Sequence, residues 1–256
     1  MKPAVSLLQG IKVTKYFGGV SALINVDFEV WPGEILGLIG PNGSGKTTLI
    51  NVISGFYPVS SGQILFKERP IQTLKPHQVA NLGIARTFQI VRPFSQLKVI
   101  ENVLIGALFG KNNLQVGVKE SLKKAEEVLD LAGLADKQDL PAANLTLADR
   151  KKLEMAKALA MDPELLLLDE VMAGLTLTEI EETMALVRRI NAKGVTLLVI
   201  EHVIHAVLNL SHRVFVLHHG AKIGEGSPDE IVRSPQVIEA YLGEDYAKAY
   251  QERSDA

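Results

Sequence analysis

The chain has 256 residues, 47% hydrophobic and 22% charged, and its 27 Lys plus Arg against 29 Asp plus Glu leave a formal net charge of −2. That composition excludes a disordered polymer, and the balanced charge excludes a global basic field able to hold nucleic acid, so any phosphate chemistry has to be local. The absence of cysteine removes disulfides, thiolate metal sites and cysteine nucleophiles together, and agrees with a reducing compartment such as the cytoplasm.

In chain order, the apolar patch Ala4 to Leu8 is too short for a signal-peptide core, so the start reads as mature. Ile11 to Tyr16 and Ile24 to Val30 read as strands separated by Phe17, Gly18 and Gly19, antiparallel in character. Glu34 to Ile39 reads as a buried strand, Gly45 to Ser54 as a helix and Gly83 to Phe88 as a strand. Between Gln89 and Asp162 strand-like runs vanish, and Val118, Leu122, Ala125 and Leu129 before Gly133 set a helical period. The expectation is one domain over 1–256, with 1–89 and 163–256 as its core and 90–162 as an inserted helical subdomain. Leu165 to Leu168 and Val195 to Ile200 read as strands that end at acids and are far too short to span a bilayer. The helix between them is expected to have Thr178 as N-cap, Glu181 three residues on, and Ile180, Met184, Val187 and Ile190 on one face, with Gly194 as its stop. Ser227, Pro228, Asp229 and Glu230 form a capping box, so the chain ends in helix rather than in a long regulatory domain. Strands alternating with helices imply an α/β fold with a mostly parallel sheet, preceded by an N-terminal antiparallel β subdomain.

Gly40, Pro41, Asn42, Gly43, Ser44, Gly45, Lys46 and Thr47 match G-x-x-x-x-G-K-[ST] between an expected strand and an expected helix. The glycines let successive N–H groups turn inward, the following helix adds its positive end, Lys46 reaches the β and γ phosphates, and Thr47 can ligate Mg2+. A chance glycine turn of this pattern arises in roughly one chain in a hundred of this length, and the strand and helix flanks lower that further. No guanine-reading N-K-x-D segment follows, which demotes a GTPase. Leu165, Leu166, Leu167, Leu168, Asp169 and Glu170 instead form an apolar strand ending in two acids. Asp169 can hold Mg2+ through water, and Glu170 can orient or deprotonate an attacking water; without the phosphate loop upstream, the same acids would read as solvated strand-end residues.

These motifs, in this order over the whole chain, resemble the ATP-binding cassette (ABC) family of ATPases. The resemblance implies ATP and Mg2+ as ligands, bound by Phe17, Gly40, Asn42, Gly43, Ser44, Gly45, Lys46, Thr47 and Thr48. It makes Phe17, 23 positions before Gly40, the adenine-stacking aromatic, with adjacent Tyr16 as the alternative. Gln89 is similar to the glutamine that senses Mg2+ and γ-phosphate, so Thr47, Gln89 and Asp169 are implied at the metal. His202 resembles the switch histidine that bonds the γ-phosphate, and Glu170, His202 and Gln89 are implied as the catalytic set.

The family's signature segment is L-S-G-G-Q, which caps ATP bound to the partner subunit, and the matching place here reads Leu145, Thr146, Leu147, Ala148 and Asp149. Thr146 keeps a hydroxyl and can cap the following helix, read as Lys151 to Ala160, and Ala148 keeps its backbone N–H. Two consequences are expected: strain at Ala148 if a positive φ is required, and an adverse carboxylate at Asp149 unless Arg150, Lys151 or Lys152 screens it. The alternative for those three cations is a solvated helix face. The family's Pro after the second acid is Val171, and its S-A-L-D is Ala173, Gly174, Leu175 and Thr176, which loses an acid.

The stretch Ile90 to Phe94 and Val99 to Val103 is more apolar than a small helical insert needs. In the family this region receives the coupling helices of membrane-spanning subunits. RTFQ, IENV and PQVIEAYLGE resemble subunits of branched-chain amino acid uptake systems, with urea and amide importers similar and a soluble assembly ATPase as the other class. The resemblance implies permease subunits, a second ABC ATPase subunit, identical or different, and indirectly an extracytoplasmic solute-binding protein as partners, no nucleic acid, and a place on the cytoplasmic face of the membrane.

Overall fold

In the computed structural model, which describes residues 5–88, 93–110 and 117–242, Gly18 at φ +56° turns the chain between β1 (Leu8–Phe17) and β2 (Val20–Val30). Glycine takes this left-handed conformation without steric cost. The hairpin pairs antiparallel from Leu8 with Val30 to Phe17 with Val20. After β3 (Ile35–Ile39) and α1 (Lys46–Ile53), β4 (Ser61–Phe66) and the short β5 (Arg69–Pro70) complete an antiparallel sheet of order β2-β1-β4-β5.

The chain divides into two compact units, 1–73 with 199–256, and 74–198. The second begins with α2 (Pro76–Asn81) and β6 (Ile84–Arg86), then builds α3 (Val99–Phe109), α4 (Val118–Ala132) and α5 (Leu147–Ala160) before β7 (Leu165–Asp169) and α6 (Leu177–Ala192). β6 and β7 pair in parallel, Ile84 with Leu165 and Arg86 with Leu167. Every residue of β7 is buried, so the run Leu165 to Leu168 reads as continuous hydrophobe rather than alternation. α3 and α5 approach so closely at Gly106 that a Cβ there would lie 2.3 Å from the carbonyl oxygen of Lys157.

β8 (Thr196–Ile200) carries the chain back to the first unit, where α7 (Ile204–Leu210), β9 (Arg213–His218), β10 (Ala221–Gly226), α8 (Pro228–Arg233) and α9 (Pro235–Leu242) follow. β9 runs parallel to β3, Leu36 with Arg213 through Ile39 with Val216, and β10 closes antiparallel on β9. Ile39, Val207, Val214, Val216, Ile231 and Val237 form one buried cluster with Tyr241 packed against it. Each side chain of that size contributes about 1.5–3 kcal/mol when fully buried, which ties α7, α8 and α9 to the strands beneath the phosphate loop.

Three helix readings need correction or refinement. α6 is capped by Thr176, not Thr178: the Thr176 hydroxyl accepts from the Glu179 N–H and Glu179 returns to the Thr176 N–H, so the helix starts two residues earlier. On α4 the buried residues are Ser121, Ala125, Val128, Leu129 and Ala132, whereas Val118 and Leu122 are exposed. The face therefore lies one position off at its N-terminal end. The helix at the signature segment begins at Leu147, a turn before the expected Lys151. The Ser227 capping box and the Gly133 stop form as read. No helix among the described residues is long and apolar enough to cross a membrane.

Candidate functional site

In the first unit, the loop after β3 is shaped by close backbone approaches. A Cβ at Gly40 would lie 2.1 Å from the Leu217 carbonyl oxygen, and one at Gly45 would lie 2.6 Å from that of Ala22. Gly43 and Gly45 have φ of +77° and +107°. The Ser44 carbonyl accepts from Gly220 N–H, and the Gly220 carbonyl accepts from Ile24 N–H, which pins the loop between β2 and the β9–β10 turn. α1 has Gly45 as its N-cap, with no side-chain cap and no acid in its first turn, so its positive end is open to an anion.

Lys46 is buried, and its Nζ donates to the carbonyls of Gly40 at 2.7 Å and Pro41 at 2.9 Å, so it arches back over the loop. The Ser44 hydroxyl is buried with no hydrogen-bond partner among the described residues. Asn42, Gly43 and Thr47 are exposed and Thr48 is half-buried. An open helix end, a lysine held over it and an unsatisfied hydroxyl fit a phosphate group, which offers several strong acceptor oxygens.

Phe17 ends β1 half-exposed and meets Tyr57 edge-on at 5.2 Å between centroids, with Lys15 Nζ 4.9 Å from its ring. Tyr57, missed in the sequence, shares this aromatic platform. Adjacent Tyr16 is also exposed, and its N–H donates to the Ser60 hydroxyl. His202 stands exposed two residues beyond β8. Tyr241 on α9 was likewise unforeseen: burial pushes its phenol up to about 12, while a hydrogen bond with the Gly40 backbone pulls the other way.

In the second unit, Asp169 ends β7 at 2% exposure. Its N–H donates to the Thr87 hydroxyl at 3.0 Å, its Oδ2 accepts from Arg86 at 3.2 Å, and its Oδ1 has no hydrogen-bond partner among the described residues. Burial pushes the Asp169 carboxyl up, the Arg86 guanidinium pulls it back, and neighbouring Glu170 adds to the rise. Glu170 is buried at φ +52°, a left-handed backbone that costs a non-glycine residue about 1–2 kcal/mol. Its carbonyl accepts from the buried Lys151 Nζ at 2.6 Å. Lys151 thus ties α5 to the second acid, a contact with no motif to announce it. Gln89 lies outside the described residues.

The segment Leu145 to Asp149, which differs from the family's signature in four of its five letters, forms a capped helix start. Thr146 caps α5, accepting from the Asp149 N–H at 3.2 Å and donating to Asp149 Oδ2 at 2.9 Å. Ala148 lies in the first helical turn with no positive φ, so the expected strain is absent. The screening cation of Asp149 is Lys137, at 2.8 Å, rather than Arg150, Lys151 or Lys152. Nor do those three form a plain solvated face: Arg150 donates to the Ala143 carbonyl, Lys151 to that of Glu170, and Lys152 to Glu182. Thr176, where the family has an acid, caps α6 as an Asp would.

The family model described as "ABC transporter" matches residues 23–173, and the model described as "Branched-chain amino acid ATP-binding cassette transporter" matches residues 221–247. The high-affinity branched-chain amino acid transport ATP-binding protein LivG of Escherichia coli (strain K12) is 38% identical over 240 residues, 89% of this chain and 94% of that one. The ADP conformation of an ATP-binding cassette of an ABC transporter superposes with a TM-score of 0.85 at 33% identity, covering 94% of this chain and 100% of the other. A dimeric cassette in a post-hydrolysis state, bound to ADP and Pi, gives 0.77 at 26% identity over 86% and 98%.

Proposed function

The chain belongs to the ABC transporter family of ATPases, and from that premise we propose that it powers a membrane importer for branched-chain or other hydrophobic amino acids. The observation that carries the transport class is the match of residues 221–247 to the branched-chain amino acid model, beside a relative named for that transport.

In this reading Lys46 and the open N-terminus of α1 hold the β and γ phosphates through N–H donors and one ammonium. Gly40, Asn42, Gly43, Ser44, Gly45, Thr47 and Thr48 complete the phosphate contacts, and Phe17 stacks on the adenine beside Tyr57. Thr47, Gln89 and Asp169 are assigned to Mg2+, which when bound neutralises charge on the phosphate oxygens. The unsatisfied Asp169 Oδ1 fits that assignment. Glu170 takes the proton of the water that attacks the γ-phosphorus as the bond to the bridging oxygen breaks, releasing ADP and Pi. His202 donates to the γ-phosphate and helps place the water. Gln89 links this event to the helical stretch and its membrane partners.

Thr146 and the Ala148 N–H cap the nucleotide of a second ATPase subunit, with the α5 N-terminus adding its dipole. The working assembly then comprises two ATPase subunits, permease subunits that hold them at the cytoplasmic face of the membrane, and an extracytoplasmic solute-binding protein.

Glu170→Gln is expected to lower phosphate release by roughly 10²–10⁴-fold with ATP binding retained, and to trap an ATP-dependent dimer in light scattering. Turnover equal to the wild type would overturn the role of Glu170. Co-expression with the permease subunits should give ATP-dependent uptake of leucine; uptake of urea or amides instead would move the substrate class, and recovery only with soluble scaffold proteins would remove transport.

A further inference from the structure

We infer that Arg86 is a positioning residue for the divalent cation: it fixes the Asp169 carboxylate through Oδ2 and leaves Oδ1 as the oxygen that would accept from the cation's shell. This inference rests on the reading of Asp169 as a Mg2+ ligand.

The parallel register sets Arg86 beside Leu167, two residues before Asp169 on the neighbouring strand. From there the guanidinium is held by contacts that include the following. Nε donates to the Thr87 carbonyl at 3.3 Å, a terminal nitrogen donates to Asp169 Oδ2 at 3.2 Å, and the Phe88 ring lies 4.8 Å away. A planar fork can serve two acceptors and a ring at once, which a lysine ammonium cannot.

The Asp169 backbone is held by the same strand end: its N–H donates to the Thr87 hydroxyl, and the Thr87 N–H donates to the Leu167 carbonyl at 2.9 Å. Side chain and backbone of the acid are therefore both set by Arg86 and Thr87. The outcome is asymmetric, because one carboxylate oxygen is bonded and the other is buried with no partner among the described residues. Buried polar atoms are nearly always satisfied, so this carboxylate oxygen has acceptor capacity that a bound cation's shell would use. Arg86 cannot serve by attraction, since its charge opposes a cation; what it supplies is orientation, as groups behind a metal-binding carboxylate generally do.

The test is calorimetric titration of ATP in the Glu170→Gln background, which suppresses hydrolysis, once with excess Mg2+ and once with EDTA. Arg86→Met and Arg86→Lys are each expected to lose about tenfold of the affinity gained from Mg2+, with affinity in EDTA within twofold of the parent. A purely structural arginine would weaken both titrations equally, and that result overturns the inference. So does a full Mg2+ gain in both variants. Should Arg86→Met not fold, Arg86→Lys, which keeps the charge but not the fork, is sufficient by itself to decide between these outcomes. Asp169→Asn separates the two levels. If it keeps the Mg2+ gain, the reading of Asp169 has failed and the role of Arg86 with it; if it loses the gain while the Arg86 variants keep it, Arg86 alone is wrongly assigned.

Discussion

The phosphate loop and the signature segment are built from different material. The loop is made by backbone: glycines that admit a Leu217 carbonyl and an Ala22 carbonyl at distances no Cβ allows, and a helix start with no side-chain cap. The signature segment is made by side chains: the Thr146 hydroxyl closes on Asp149, and Lys137 neutralises that acid from outside the motif. A backbone device tolerates almost no substitution, so its letters survive and announce it. A side-chain device can be rebuilt with other residues as long as hydrogen bonds and charge still balance, so its letters drift while the helix start persists.

If this contrast is right, the largest effect comes from adding a single methyl to the loop. Gly40→Ala is expected to weaken ATP binding by at least tenfold, about 1.4 kcal/mol, because the new Cβ would sit 2.1 Å from the Leu217 carbonyl; affinity like the wild type in a nucleotide titration would show that the loop yields there. A smaller loss follows from separating the pair at the signature. Lys137→Met should cost about 1–2 kcal/mol in urea unfolding, at the low end for an ion pair because Lys137 is one-third exposed. Adding Asp149→Asn to that variant should recover most of the loss, since the stranded charge is then gone; simple additivity of the two changes would mean that they do not act as a pair.

The smallest effect is the most pointed. Ala148→Gly restores a glycine of the family pattern, yet Ala148 is helical and unstrained. The change is therefore expected to destabilise by about 0.5–1 kcal/mol without raising turnover. A faster or more stable variant would show that the segment does want a glycine.

The regular parts of the fold were legible because their periods are strong. The buried runs Leu165 to Leu168 and Val195 to Ile200 became β7 and β8 within one residue, and the capping box at Ser227 formed as written. The misreadings arose where several residues of similar chemistry compete locally. Thr176 and Thr178 both precede a helical pattern with an acid three residues on, and only the closed reciprocal bonds with Glu179 select Thr176. On α4, Leu122 has the right spacing for the core but Ser121 and Val128 are the residues that are buried, because packing of α4 against α3 and α5 sets the rotation of the helix.

By itself, the sequence determined that the chain binds a nucleotide phosphate and ends a buried strand in two acids, since both follow from local rules: glycine where a backbone must bend or crowd, and unbroken hydrophobe where a strand is covered on both faces. Only the tertiary structure decided which partners make those groups work. Lys137 lies twelve residues before Asp149, Lys151 nineteen before Glu170 and Arg86 eighty-three before Asp169. No period or motif links residues at such separations; helix packing and strand register bring them together, and burial then makes each pairing matter by leaving an unpartnered charge no water to turn to.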